Sequence, residues 1–121
     1  MSLTLDDIRD ARLVYVATPY SKYHLGQTIA AIHAAQATAE LIRRGFVAVS
    51  PIAHSHAVAT YGNLDAMDWE LWKRQDGPLM DAADALVVVM LDGWRESVGV
   101  QAEIEHFVAA QKPVVFWEWS K

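Results

Sequence analysis

The 121 residues predict one α/β domain built on a doubly wound parallel sheet of four to five strands. Three observations carry that expectation. Short runs rich in Val, Leu and Phe alternate along the chain with longer segments of helical spacing. The run ALVVVML at 85–91 is apolar at every position, as a strand buried on both faces of a sheet must be. The polar residues that fit neither pattern fall just after the predicted strands, where parallel sheets bind their ligands. A chain of this length fits one domain.

The elements follow in order. Residues 12–17, RLVYVA, read as a short buried strand, and TPYSKYH as the loop after it. From 25 to 44 the chain is Ala-rich. Leu25, Ile29, Ile32, Ala35, Ala39 and Ile42 recur at helical spacing, and Gly45 supplies a C-terminal stop. Residues 46–50, FVAVS, form the second strand, ended by Pro51. The stretch 51–63, PIAHSHAVATYGN, reads as a ligand-side loop. A helix is expected over 64–75, broken at Gly77-Pro78, with Asp76 placed to cap a new turn. The strand at 85–91 leads through the loop DGWRES into a helix over 98–111, and PVVFW at 113–117 is the last strand.

Composition narrows the functional classes. The net charge is -5 and the pI about 5.4, against the clustered basic surface a nucleic-acid binder needs. With no cysteine, the chain has no disulfide, thiolate nucleophile or Cys-based zinc site. The N-terminal MSLTLDDIRDAR lacks an apolar signal core, and no run reaches the length of a membrane span. The expectation is a soluble cytoplasmic protein without nucleic-acid or membrane partners. Of the five tryptophans, most are expected in the core or at a subunit contact. Trp117 and Trp119 would share one face of the last strand.

Glu103 stands out. On a helical wheel Val100, Ile104, Phe107 and Val108 gather on one side to pack on the sheet, and Glu105 points to water. Glu103 lies about 60° from Val100, at the edge of the apolar stripe and near the helix start. An ordinary acidic residue at a helix start is the simpler interpretation. Its neighbours argue for more: Ser97 is a plausible N-cap, Gly99 lets a ligand approach the backbone, and amides here can hold an anion or hydroxyl. Tyr15, near the end of the first strand, can hydrogen-bond Glu103. Asp76 is divided evenly between capping and function.

Several segments together resemble one family. VYVATPYS after the first strand, Asp76 ahead of LMDAADALVVV, and SVGVQAE resemble the nucleoside 2-deoxyribosyltransferases and the related deoxynucleoside 5'-monophosphate N-glycosidases. The GWRESVG segment is similar to a branch of small bacterial proteins in that superfamily. The resemblance covers most of the chain, taken as one domain over 1–121, and implies a flavodoxin-like or Rossmann-like fold. It also implies chemistry at an N-glycosidic bond, no cofactor, a nucleoside or nucleotide as ligand, and a homodimer or larger assembly. Carried over, Glu103 matches the nucleophile, Tyr15 the residue that orients it, and Asp76 the general acid. Asp76 would then keep a raised pKa while Glu103 stays ionised. Tyr20 matches an aromatic residue stacked on the base, and Ser97 and Gly99 match positions near a phosphate. Thr18, His54 and Trp94 are further candidates for lining the substrate.

Two other readings stand beside this one. His54 and His56 form an HSH pair, followed by Asp65 and Asp68, a pattern a metal-dependent hydrolase could use. A non-catalytic nucleotide- or nucleotide-sugar-binding module could hold the same pocket without turnover.

Overall fold

The computed structural model describes residues 2–120. A 3-10 turn at Leu5–Ile8 precedes strand β1 (Val14–Ala17) and helix α1 (Gln27–Arg43). Strand β2 (Ala48–Val49), helices α2 (Pro51–Gly62) and α3 (Trp69–Ala82), strand β3 (Ala85–Val89), helix α4 (Val98–Ala109) and strand β4 (Val114–Trp117) complete the chain. All strands are parallel, in the order β2-β1-β3-β4. Among the described residues this is the flavodoxin-like order over four strands. The α/β doubly wound expectation holds, with four strands.

Side-chain alternation divides the core in two. Val14, Val16, Val87, Val89 and Val115 face α1, together with Ile8 and Leu41. Tyr15, Ala17, Leu86 and Val88 face the opposite layer, against Val100 and Phe107 of α4 and Leu79 and Met80 of α3. β1 and β3 are buried at every residue, as central parallel strands require. Among the described residues no helix is long and apolar enough to cross a membrane.

The structure departs from the sequence expectations at identifiable places. The stretch 51–63 is not a loop: 51–62 form α2, with Ser50 Oγ accepting from Ala53 N at 3.1 Å, Pro51 in the first turn and Asn63 in the left-handed conformation at the C-cap. Each is a standard helix boundary signal. The apolar stripe that would have flagged the helix is missing, because only Pro51 and Ala59 are buried.

The helix expected over 64–75 starts later and continues through Gly77-Pro78, so neither residue breaks it. Asp68, not Asp76, is its N-cap, accepting from Leu71 N at 3.2 Å. Pro78 leaves the Arg74 carbonyl without its helical donor. Contacts from outside secure the far end: Lys112 Nζ reaches the Asp81 carbonyl at 2.8 Å, and His106 Nε2 meets Asp81 Oδ1 at 2.9 Å.

Helix α1 is where expected, and Gly45 adopts φ +96° just past it, a conformation suited to glycine. Its buried face differs. Ala30, Ala37 and Leu41 meet the sheet, while Ile32 and Ile42 are exposed. Small alanines allow the helix to approach the sheet closely, so the larger isoleucines turn outward. In α4, Val100 and Phe107 are buried as expected, but Val108 is 61% exposed. Trp117 and Trp119 pack on the α1-side core, their rings 6.5 Å apart.

Candidate active site

The chain runs from β1 outward to β2 and then returns to the other side of β1 as β3. The strand order therefore reverses between β1 and β3, and the crevice at their carboxyl ends is where such folds place a ligand. A pocket of about 350 Å³ occupies this position. His24 and Asp92, 3.6 Å apart, join the two loops that flank it.

The fold brings most of the expected site residues together. Tyr15, Thr18, Tyr20, Asp76, Ser97, Gly99 and Glu103 all line the pocket. Tyr15 comes from β1, paired in register with Leu86, and is fully buried. Its side chain faces α4, so the hydroxyl meets the Glu103 carboxylate and donates to Oε2. The Tyr15 ring also lies 5.7 Å from Phe107, one helical turn beyond Glu103. Ring packing and hydroxyl together fix the direction in which the carboxylate points.

Ser97 caps α4 as expected, accepting from Val100 N at 3.2 Å. Asp76, released from capping, projects from the middle of α3. Thr18 is 3% exposed, and its hydroxyl has no hydrogen-bond partner among the described residues. Buried polar atoms in folded proteins are nearly always paired, so this one is available to a ligand.

The electrostatics follow from enclosure. Burial pushes the Glu103 carboxyl up to about 8; the Tyr15 hydroxyl opposes this and the Asp76 charge adds to it. Burial likewise raises Asp76, to about 6, with His54 pulling it down. Tyr15 is raised far above the usual phenol range, by burial first and then by the Glu103 and Asp76 charges, so it remains a hydroxyl donor. Asp76 is raised as expected. Glu103 is raised too, so the two carboxyls titrate as a coupled pair. A raised Glu103 runs against the expectation that it stays ionised, and burial is the cause.

Two candidates are placed elsewhere. Trp94 packs on Phe116, with ring centroids 5.3 Å apart, outside the pocket wall. His54 is exposed on α2 and acts on the site through its charge on Asp76. The HSH pair is split: the Tyr20 hydroxyl and His56 Nδ1 are 2.7 Å apart. Among the described residues no group of three or more His, Asp and Glu is gathered to hold a metal ion.

Trp69, Trp72, Lys73 and Met80 were not among the expected site residues, yet they line the pocket beside Asp76. Their spacing contained the signal. Positions 69, 72, 73, 76 and 80 share one face of a continuous helix. Reading Gly77-Pro78 as a break hid that face. Ile52 and Ser55 of α2 also line the pocket, missed because α2 itself was missed.

Fold and pocket together define a doubly wound α/β protein with two carboxyl groups and a buried tyrosine at its ligand crevice. The chain belongs to the family described as a domain of unknown function (DUF1937), which matches residues 12–119. That span contains every strand, helices α1 to α4 and the whole pocket lining. No curated protein matches the sequence.

Proposed function

We propose that the pocket cleaves or transfers the N-glycosidic bond of a nucleoside or nucleotide, with Glu103 as nucleophile. The observation that carries this reading is a carboxylate held by a buried tyrosine, facing a second carboxyl group in one crevice at the strand-order switch. The resemblance to the nucleoside 2-deoxyribosyltransferases supports it independently of the geometry.

In this mechanism Glu103 Oε attacks the anomeric carbon as the bond to the base breaks, through an oxocarbenium-like transition state. Asp76 gives its proton to the departing base. Water then attacks the glycosyl-enzyme and gives a proton to Asp76, releasing the sugar and regenerating Glu103. A second base in place of water gives transfer. The reactive state has the pair's proton on Asp76. Positive charge developing on the sugar beside Glu103 favours the ionised glutamate and draws the proton toward Asp76. Trp69 and Trp72 provide flat surfaces for the base.

The test is incubation of the pure protein with deoxyribo- and ribonucleosides and their 5'-monophosphates, with and without a second free base. Chromatography reports released or exchanged base. Release that disappears in Glu103→Ala supports the proposal, and exchange that requires the second base identifies transfer. Turnover unchanged in Glu103→Ala, or none with any substrate, would overturn it.

A further inference from the structure

The Tyr20–His56 pair lies outside the carboxylate chemistry. Tyr20 belongs to the loop after β1, and its hydroxyl is 2.7 Å from Nδ1 of His56 on α2. The rings meet edge to face at 5.7 Å. Tyr20 lines the pocket and His56 does not, so the histidine stands behind the tyrosine. The pair sits on the α2 side of the crevice. Glu103 and Ser97 line the same pocket from α4, so under the proposed reading a sugar held at Glu103 leaves the Tyr20 part of the pocket for its base.

We infer that His56 is a positioning residue that fixes the Tyr20 hydroxyl as a hydrogen-bond acceptor toward the ligand, selecting bases that carry an amino group over those with a keto group. This rests on the proposed glycosidic reading. The proton direction follows from acid and base strength. A phenol is a better donor than an imidazole N–H, and a neutral imidazole nitrogen is a better acceptor than a phenol oxygen. Tyr20 therefore donates to Nδ1, and the proton of neutral His56 sits on Nε2. Burial raises the Tyr20 pKa, which keeps the hydroxyl protonated for this role.

With its only hydrogen committed to His56, the Tyr20 oxygen has lone pairs alone to offer the ligand. Donation outward also strengthens it as an acceptor. The exocyclic amine of adenine or cytosine satisfies those lone pairs. The carbonyl of hypoxanthine or uracil opposes them, lone pair to lone pair, and is left without a partner. Leaving one such group unsatisfied costs roughly tenfold in discrimination.

The experiment compares kcat/KM for base release from adenine and hypoxanthine nucleosides of one sugar in wild type, His56→Ala and Tyr20→Phe. Reading the change in ratio between proteins cancels the difference in leaving-group ability. Calorimetric binding of free adenine and free hypoxanthine gives the same comparison without chemistry. The expected result is a preference for the amino base that falls by about tenfold in both variants, with no further fall in the double variant. A merely structural His56 would lower both substrates alike and leave the ratio unchanged. Base release with an unchanged ratio in Tyr20→Phe overturns this inference and leaves the glycosidic reading intact. Loss of the binding preference in both variants, without any base release, keeps the inference and removes that reading. Binding of neither base, with no release, overturns both.

Discussion

The Tyr15 hydroxyl donates to the Glu103 carboxylate across 88 positions of sequence, from the central strand to the helix that follows its neighbour. That bond lowers the proton affinity of a carboxyl group that burial raises to about 8. With Asp76 raised to about 6, the two carboxyls share one proton between those values. The proposed reaction needs that one-proton state. The pH dependence of kcat/KM is therefore expected to be a bell limited near about 6 and about 8, values that belong to the pair. In Tyr15→Phe the carboxylate loses its donor, so its proton is held more tightly. The alkaline limb moves upward, and the rate at the optimum falls by roughly 10- to 100-fold. A rate loss without movement of the alkaline limb would contradict this role for Tyr15.

The same shifts make stability depend on pH. Both carboxyls bind protons more tightly in the folded protein than in the unfolded chain, because burial penalises their charged forms. Their contribution is complete below ordinary carboxyl pKa values and is lost as pH rises through about 6 for Asp76 and about 8 for Glu103. The wild-type Tm is thus expected to fall between about pH 5 and about pH 9. Glu103→Gln removes the upper part of that fall and at about pH 9 exceeds wild type by about 2 kcal/mol. Thermal unfolding of both proteins across this range checks it. Parallel curves would mean that Glu103 is not buried as a charge.

The four strands and α1 and α4 were legible because apolar runs and helical spacing are strong local signals. Glu103 was legible from its place at the edge of the α4 stripe, and the bond to Tyr15 follows from alternation along β1. What was hidden lies between β2 and β3. α2 is short of buried apolar side chains, so its Ser50-Pro51 start and Asn63 stop were the only available signs. α3 buries no residue at all and contains Gly77-Pro78, so local propensity argued against its second half. Tertiary contacts to Asp81 from His106 and Lys112 override that propensity. That Glu103 is raised along with Asp76 depends on enclosure, which no local sequence pattern encodes.

Thr18 gives a test that separates ligand binding from folding. Its buried hydroxyl has no partner among the described residues, so the folded protein already bears the cost of desolvating it. Thr18→Val keeps the shape and removes the orphan. Stability is expected to stay equal or rise by up to about 1 kcal/mol, while affinity for a bound nucleoside falls roughly 5- to 10-fold. Calorimetry for binding and denaturant unfolding for stability provide both numbers. A drop in stability would show that the hydroxyl serves the fold.

Gly99 separates the same two roles by space instead of polarity. It sits in the first turn of α4 and lines the pocket beside Ser97 and Glu103. A methyl group there would meet only Ser97 Oγ, at 3.9 Å, and otherwise enters open space. The protein itself therefore has room for alanine, and a helical alanine is better than glycine by about 0.5–1 kcal/mol. If a ligand approaches this backbone closely, the added carbon occupies its place. Gly99→Ala is expected to unfold at higher denaturant while kcat/KM falls at least about tenfold, mostly through KM. Gly62→Ala, at the end of α2 and also free of contacts, serves as the control and leaves turnover unchanged. Full activity in Gly99→Ala would mean that the ligand does not contact the α4 backbone at this turn, and would move the sugar or phosphate away from Ser97.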